Sequence, residues 1–158
     1  MIGWLRRLFG GTPSLSEAGR VDAPAMASLH AQSFHRGWSD GEFESLLTER
    51  NVIAHRAKVR GILVGFIISR LAADEAEILS VAVAARERGR RLAQDMLAMH
   101  MRRLAGVGCR TIFLEVDETN QPARRLYKSA GFREVGRRDS YYRQGSAASA
   151  ALVLRRDI

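Results

Sequence analysis

The stretch Ala76–Leu97, AEILSVAVAARERGRRLAQDML, decides how the chain is read. Its first part, Glu77 to Ala84, is rich in Val, Ile and Leu and reads as a buried strand. A basic turn follows, Arg86-Glu87-Arg88-Gly89-Arg90-Arg91, and then an amphipathic helix carrying Leu92, Met96, Leu97 and Leu104. Strand, glycine-containing basic turn and helix together set backbone N–H groups and a positive dipole end around a phosphate.

The rest of the chain bounds what that turn can serve. A chain of 158 residues suits one domain, with ordinary apolar and charged fractions. No apolar run approaches the ~20 residues that span a bilayer, and MIGWLRRLFGG lacks the apolar core of a secretory signal. The single cysteine, Cys109, excludes an internal disulfide framework and fits a reducing cytoplasm. His30, His35, His55 and His100 have no metal-ligand spacing, so no metal is expected. A net charge of +8 asks for an anionic partner. No basic helix with interleaved aromatics and no nucleic-acid motif is present, so dedicated nucleic-acid binding is not expected; transient contact with a ribosome or another anionic surface stays open.

Residues 1–11 read as an N-terminal appendage and residues 12–158 as the domain. Ile2, Trp4, Leu5, Leu8 and Phe9 with Arg6 and Arg7 form either a short membrane-touching amphipathic turn or a frayed terminus. A strand is expected around Ser14 to Ala18. Asp22 is a candidate N-cap for a helix burying Met26, Leu29 and Phe34, and Ser39 for one burying Phe43, Leu46 and Leu47. Val52 to Val59 and Ile62 to Ala72 read as strands joined at Arg60-Gly61. Gly106-Val107-Gly108 stops the long helix. Thr111 to Val116 is a further strand, Pro122 to Ser129 a helix stopped at Gly131, and Arg133 to Tyr142 and Ala148 to Arg155 closing strands. Mixed elements in this order give one α/β domain.

The second cluster is Leu114-Glu115-Val116-Asp117-Glu118-Thr119-Asn120, continuing through Leu126-Tyr127 to Gly131-Phe132. The two clusters together resemble the GNAT acetyltransferases, and the resemblance implies an amine attacking a thioester; such an amine must be neutral. An α-amine, titrating near ~8 against ~10.4 for lysine, needs less help at neutral pH. Glu115, at a strand end, is the candidate general base; its alternative is a salt-bridged acid, with Asp117 and Glu118 as rivals. A tyrosine hydroxyl can protonate a departing thiolate. Tyr127 is the candidate acid, the alternative being a core tyrosine. Asn120 can equally cap the helix. Cys109 as an acyl carrier is the other mechanism, although it reads more simply as a small core residue.

Together the two clusters resemble motifs A and B of the GNAT acetyltransferases over about half the chain. Arg88 and Ala93 match the motif A turn, Gln/Arg-x-x-Gly-x-Gly/Ala, while Arg91 stands where the family has its first glycine. Leu-Glu-Val, Asn120, Leu-Tyr, Gly-Phe and the pair Tyr141-Tyr142 are similar to the RimI-like branch, the ribosomal-protein-alanine N-acetyltransferases. The resemblance implies the GNAT fold, a mostly antiparallel sheet flanked by helices, and acetyl-CoA as donor. It implies coenzyme contacts from Val81, Ala82, Val83, Arg88, Gly89, Arg90, Arg91, Leu92, Ala93, Gln94, Asn120 and Tyr127. Oxyanion stabilisation falls to backbone N–H groups around Val81–Val83, on a bulged strand. The acceptor is implied to lie near Trp38, Tyr141 and Tyr142, Trp38 having core packing as its alternative. The leading expectation is direct transfer to a protein N-terminal α-amine, in the cytoplasm. The alternatives are a small-molecule amine or lysine acceptor, and a non-catalytic coenzyme-binding or ribosome-associated module.

Overall fold

The apolar runs ahead of the basic turn form β1 (Ser14–Glu17), β2 (Val52–Val59), β3 (Ile62–Ala72) and β4 (Glu75–Val83), each antiparallel to the next. Arg60 and Gly61 both have positive φ, 51° and 79°, the hairpin geometry that matches strand twist. Beyond the turn, β5 (Thr111–Asp117) runs parallel to β4, and β7 (Ala151–Asp157) lies antiparallel between β5 and β6 (Arg133–Arg138). One seven-stranded sheet results, ordered β1-β2-β3-β4-β5-β7-β6. The computed structural model describes residues 10–139 and 149–158. The N-terminal segment carrying Trp4 and the pair Tyr141-Tyr142 lie outside the described residues.

Among the described residues four α-helices cover the sheet: α1 (Ala23–Ser33), α2 (Asp40–Thr48), α3 (Leu92–Gly106) and α4 (Gln121–Ser129). Phe66 of β3 meets the rings of Phe43 and His30 at 5.4 and 6.4 Å, so α1 and α2 lie on one face. Ser69 of β3 bonds His100 of α3, which puts α3 on the other face. Leu71, Ala76, Ile112 and Arg156 continue that second face through their register, and the Arg156 guanidinium donates to Ala130 O at 2.6 Å, holding the end of α4 there. Met26, Phe43, Phe66, Ile67, Ile68, Met96, Leu97, Leu104 and Ile112 form the centre of the core.

Two features of β4 shape everything that follows. Its pairing with β5 runs only from Glu75/Thr111 to Ile78/Leu114, after which the two strands part. On its β3 side, Ser69 faces Ile78 while Ile68 faces Ser80, leaving Leu79 as a bulge. Plain alternation keeps Ser80 on the face of Ile78; the extra residue moves it to the opposite face.

Several local expectations are corrected. The bulge falls at Leu79, ahead of Val81–Val83. Asp22 makes no side-chain cap to α1. Its carboxylate instead accepts from Gly19 N at 2.9 Å and from the Arg56 guanidinium at 2.5 Å, a buried acid satisfied by a cation and an amide. Phe34, expected inside, is 41% exposed because α1 ends at Ser33 and the chain turns extended. Ser39 does cap α2, in a reciprocal box with Glu42.

Candidate active site

Where β4 and β5 part, a cavity of about 780 Å³ opens at the C-terminal ends of the two parallel strands. Its walls come from both faces of the sheet: β4, β5, the start of α3 and the side of α4, with Ser33 and Phe34 from the end of α1. Each candidate coenzyme residue, Val81, Ala82, Val83, Arg88, Gly89, Arg91, Leu92, Ala93, Gln94, Asn120 and Tyr127, lines it, except Arg90. Arg90 donates to the buried Glu87 carboxylate at 3.2 Å, and Glu87 takes a place on the wall.

The backbone supplies donors on two sides. Ala84 N–H bonds Val64 O at 2.8 Å, so alternation turns the backbone groups of Val81 and Val83 away from β3, toward the gap left by β5. The Arg88 Nε donates to Val83 O at 3.2 Å and folds the turn back onto the strand. Gly89 has φ 76° and Arg91, the N-cap of α3, has φ 63°. Arg91 thus adopts the left-handed backbone for which glycine is the low-strain residue, which gives the motif's glycine its physical reason. No side chain caps α3, so its first-turn N–H groups stay available to an anion beside the Arg91 side chain.

The titratable groups separate by environment. Tyr127 is 7% exposed, with its ring edge-on to Phe132 at 5.6 Å, and burial pushes its phenol up to about 12. It therefore stays a neutral O–H donor across the working range. Glu115 lines the cavity at the end of β5, and its carboxylate is ion-paired with Arg138 of β6. Asp117 accepts from Ser149 Oγ at 2.5 Å and from Thr119 at both N and Oγ, bonds that hold it below the usual carboxylate range. Glu118 is likewise lowered, first by the Ala150 N–H and then by Arg137, and is absent from the wall. Of the three carboxylates, Glu115 is the one on the wall that is ion-paired with a largely exposed arginine.

The remaining candidates find other roles. Asn120 Oδ1 accepts from Ala123 N at 3.2 Å, so it caps α4 while lining the cavity. Trp38 stacks on His30 at 4.7 Å, its backbone N–H donating to His30 Nδ1, and borders a separate open groove along α2. Cys109 is buried, its thiol raised by desolvation and bonded to Thr111 O, and it does not line the cavity, which removes the acyl-carrier route. Sequence reasoning missed Ser33, Phe34, Ser80 and Arg138. Only Phe34 carried a signal, an aromatic at a helix end.

The sequence profile of the acetyltransferase (GNAT) family matches residues 23–132. The chain belongs to the GNAT acetyltransferase family. It is similar to the [ribosomal protein bS18]-alanine N-acetyltransferase of Escherichia coli K12, 27% identical over 89% of this chain and 95% of that protein. It is also 35% identical to the N-alpha-acetyltransferase RimI of Mycobacterium tuberculosis over 87% and 88% of the two chains. The crystal structure of the Escherichia coli ribosomal-protein-S18-alanine N-acetyltransferase superposes with a TM-score of 0.86 at 25% identity, covering 93% of this chain and 94% of the other. Arabidopsis thaliana NAA60 in complex with acetyl-CoA shares the fold at a TM-score of 0.80 and 20% identity, over 93% and 99% of the chains. As a GNAT N-acetyltransferase the protein uses acetyl-CoA as acyl donor, and the module without catalysis is set aside. The cavity fits that donor chemically: uncapped amides and cations at the α3 end for phosphates, strand backbone along the gap, and a neutral phenol beyond.

Proposed function

We propose that the protein acetylates a protein N-terminal α-amine, that of an N-terminal alanine on a ribosomal protein, by direct transfer within a ternary complex in the cytoplasm. The observation that carries the reading is the joint presence of Glu115 and Tyr127 on the wall of one cavity that crosses the sheet. The near full-length likeness to N-terminal alanine acetyltransferases supports the choice of acceptor. Residues 12–158 form the catalytic domain in this reading, with residues 1–11 as an appendage.

Glu115 takes a proton from the acceptor ammonium, and the nitrogen lone pair forms a bond to the thioester carbonyl carbon. The backbone N–H groups of Val81 and Val83 stabilise the oxyanion. As the intermediate collapses the C–S bond breaks, and Tyr127 donates its proton to sulfur; the second proton lost from nitrogen restores the phenol. Trp38, Tyr141 and Tyr142 belong to the acceptor side, Trp38 by fixing the α1–α2 connection through its stack on His30.

Mass spectrometry of acetyl transfer to a competing mixture tests this. The mixture holds an alanine-initiated ribosomal-protein peptide, an N-blocked lysine peptide and a polyamine. Acetyl on the alanine α-amine is the expected result. Transfer to lysine or polyamine instead would keep the chemistry and overturn the acceptor.

A further inference from the structure

Ser80 is a buried polar group on the cavity wall that the chemistry above leaves unused. It is 8% exposed, lines the cavity, and its Oγ has no hydrogen-bond partner among the described residues. A buried hydroxyl left this way is destabilising, because it has given up water without gaining a partner. The strand has no packing need for it, because at Ala76, Ala82 and Ala84 the same segment fills tight buried positions with alanine. A hydroxyl retained where a methyl would fit points to a partner that arrives with the substrates.

Its position names the partner. Through the bulge at Leu79, Ser80 pairs with Ile68 and leaves the face shared by Ile78 and Leu114. Glu115, next to Leu114 on β5, stands on that same opposite face. Ser80 and Glu115 therefore share the face covered by α1 and α2, on the two strands that part. The α3 and α4 end, with its anion-binding features, is on the other face. The acceptor must come to Glu115 to lose its proton, so the ligand nearest Ser80 is the acceptor's nitrogen.

We propose that Ser80 is an acceptor-positioning residue whose hydroxyl oxygen accepts a hydrogen bond from the attacking amine, on the side opposite Glu115. An ammonium offers three N–H groups. With one proton passed to Glu115 and a second N–H held by Ser80, the freed lone pair is constrained in direction, the condition under which orientation lowers the barrier. The proposal rests on the N-acetyltransferase reading and applies to any primary-amine acceptor.

The test compares wild type with Ser80→Ala, using the alanine peptide or, where that is not acetylated, the amine that is. Expected is a fall of roughly 10-fold or more in kcat/KM for the amine, with the dissociation constant for acetyl-CoA unchanged and Tm equal or higher. A structural hydroxyl would not separate acceptor kinetics from coenzyme binding in this way. Activity within about twofold of wild type, or a matching loss of coenzyme affinity, would overturn it. A crystal structure with a peptide–coenzyme bisubstrate conjugate gives a readout independent of turnover. The amide nitrogen should lie at roughly 2.7–3.2 Å from Ser80 Oγ; an Oγ bonded to a protein group instead would sink the proposal.

Discussion

The Glu115 carboxylate is held by the Arg138 guanidinium, reaching across from β6 over the intervening β7. An arriving acceptor ammonium and Arg138 thus compete for one carboxylate. Replacing Glu115 by Gln should lower kcat by ~10²–10⁴ with acetyl-CoA affinity unchanged by calorimetry. Arg138→Gln removes the competitor; acceptor KM should fall. Because Arg138 is mostly exposed, chemical denaturation should register less than ~1 kcal/mol. A rise in acceptor KM would mean that Arg138 orients the base rather than competing with the substrate.

Tyr127 is held neutral by burial, its phenol raised to about 12. A group whose proton is retained that far up contributes no alkaline loss of activity, so kcat should show no fall below about pH 10 through this residue. Tyr127→Phe should reduce kcat by ~10²–10³, measured by thiol release, with the fold intact by circular dichroism because the ring and its contact with Phe132 remain.

Arg91 carries φ 63° at the entrance to α3. Glycine there relieves roughly 1 kcal/mol of left-handed strain, partly offset by added freedom in the unfolded chain. Arg91→Gly should therefore leave Tm equal or slightly raised and weaken acetyl-CoA binding several-fold through loss of the cation. Tighter binding would identify the side chain as an obstruction.

His55 and His100 join β2 to α3 inside the core. Their Nδ1 atoms lie 2.7 Å apart, and His100 Nε2 lies 2.6 Å from Ser69 Oγ. One proton between the rings suffices, so both are neutral. Burial lowers both, His100 to about 3, and repulsion from His55 once that ring is protonated lowers His100 further. Unfolded histidines titrate near ~6.5 and then bind more protons than the folded ones. Stability should be full above that pH and fall as the pH drops below it, by up to about 1.4 kcal/mol per unit for His100, with His55 acting in the same direction. Urea midpoints from pH 7 to 4 check this, and a His100→Leu, Ser69→Ala double variant should flatten the slope.

The sequence by itself determined the elements and the chemistry that depends on near neighbours. Periodicity marked β4, α3 and β5, while Gly89 and Gly131 marked turns that do adopt positive φ. Spacing from Glu115 to Tyr127 set one strand end and one helix apart by a short capped connection. These are local properties, fixed by a few consecutive residues. The tertiary structure alone decided the parting of β4 from β5, the bulge at Leu79 that turns Ser80 toward the face of Glu115, and the arrival of Phe34 and Arg138 at the site. It also made the His55–His100–Ser69 chain, whose members are separated by up to 45 residues. Each depends on which strand pairs with which and in what register, and a shift of one residue reverses the face of every side chain beyond it.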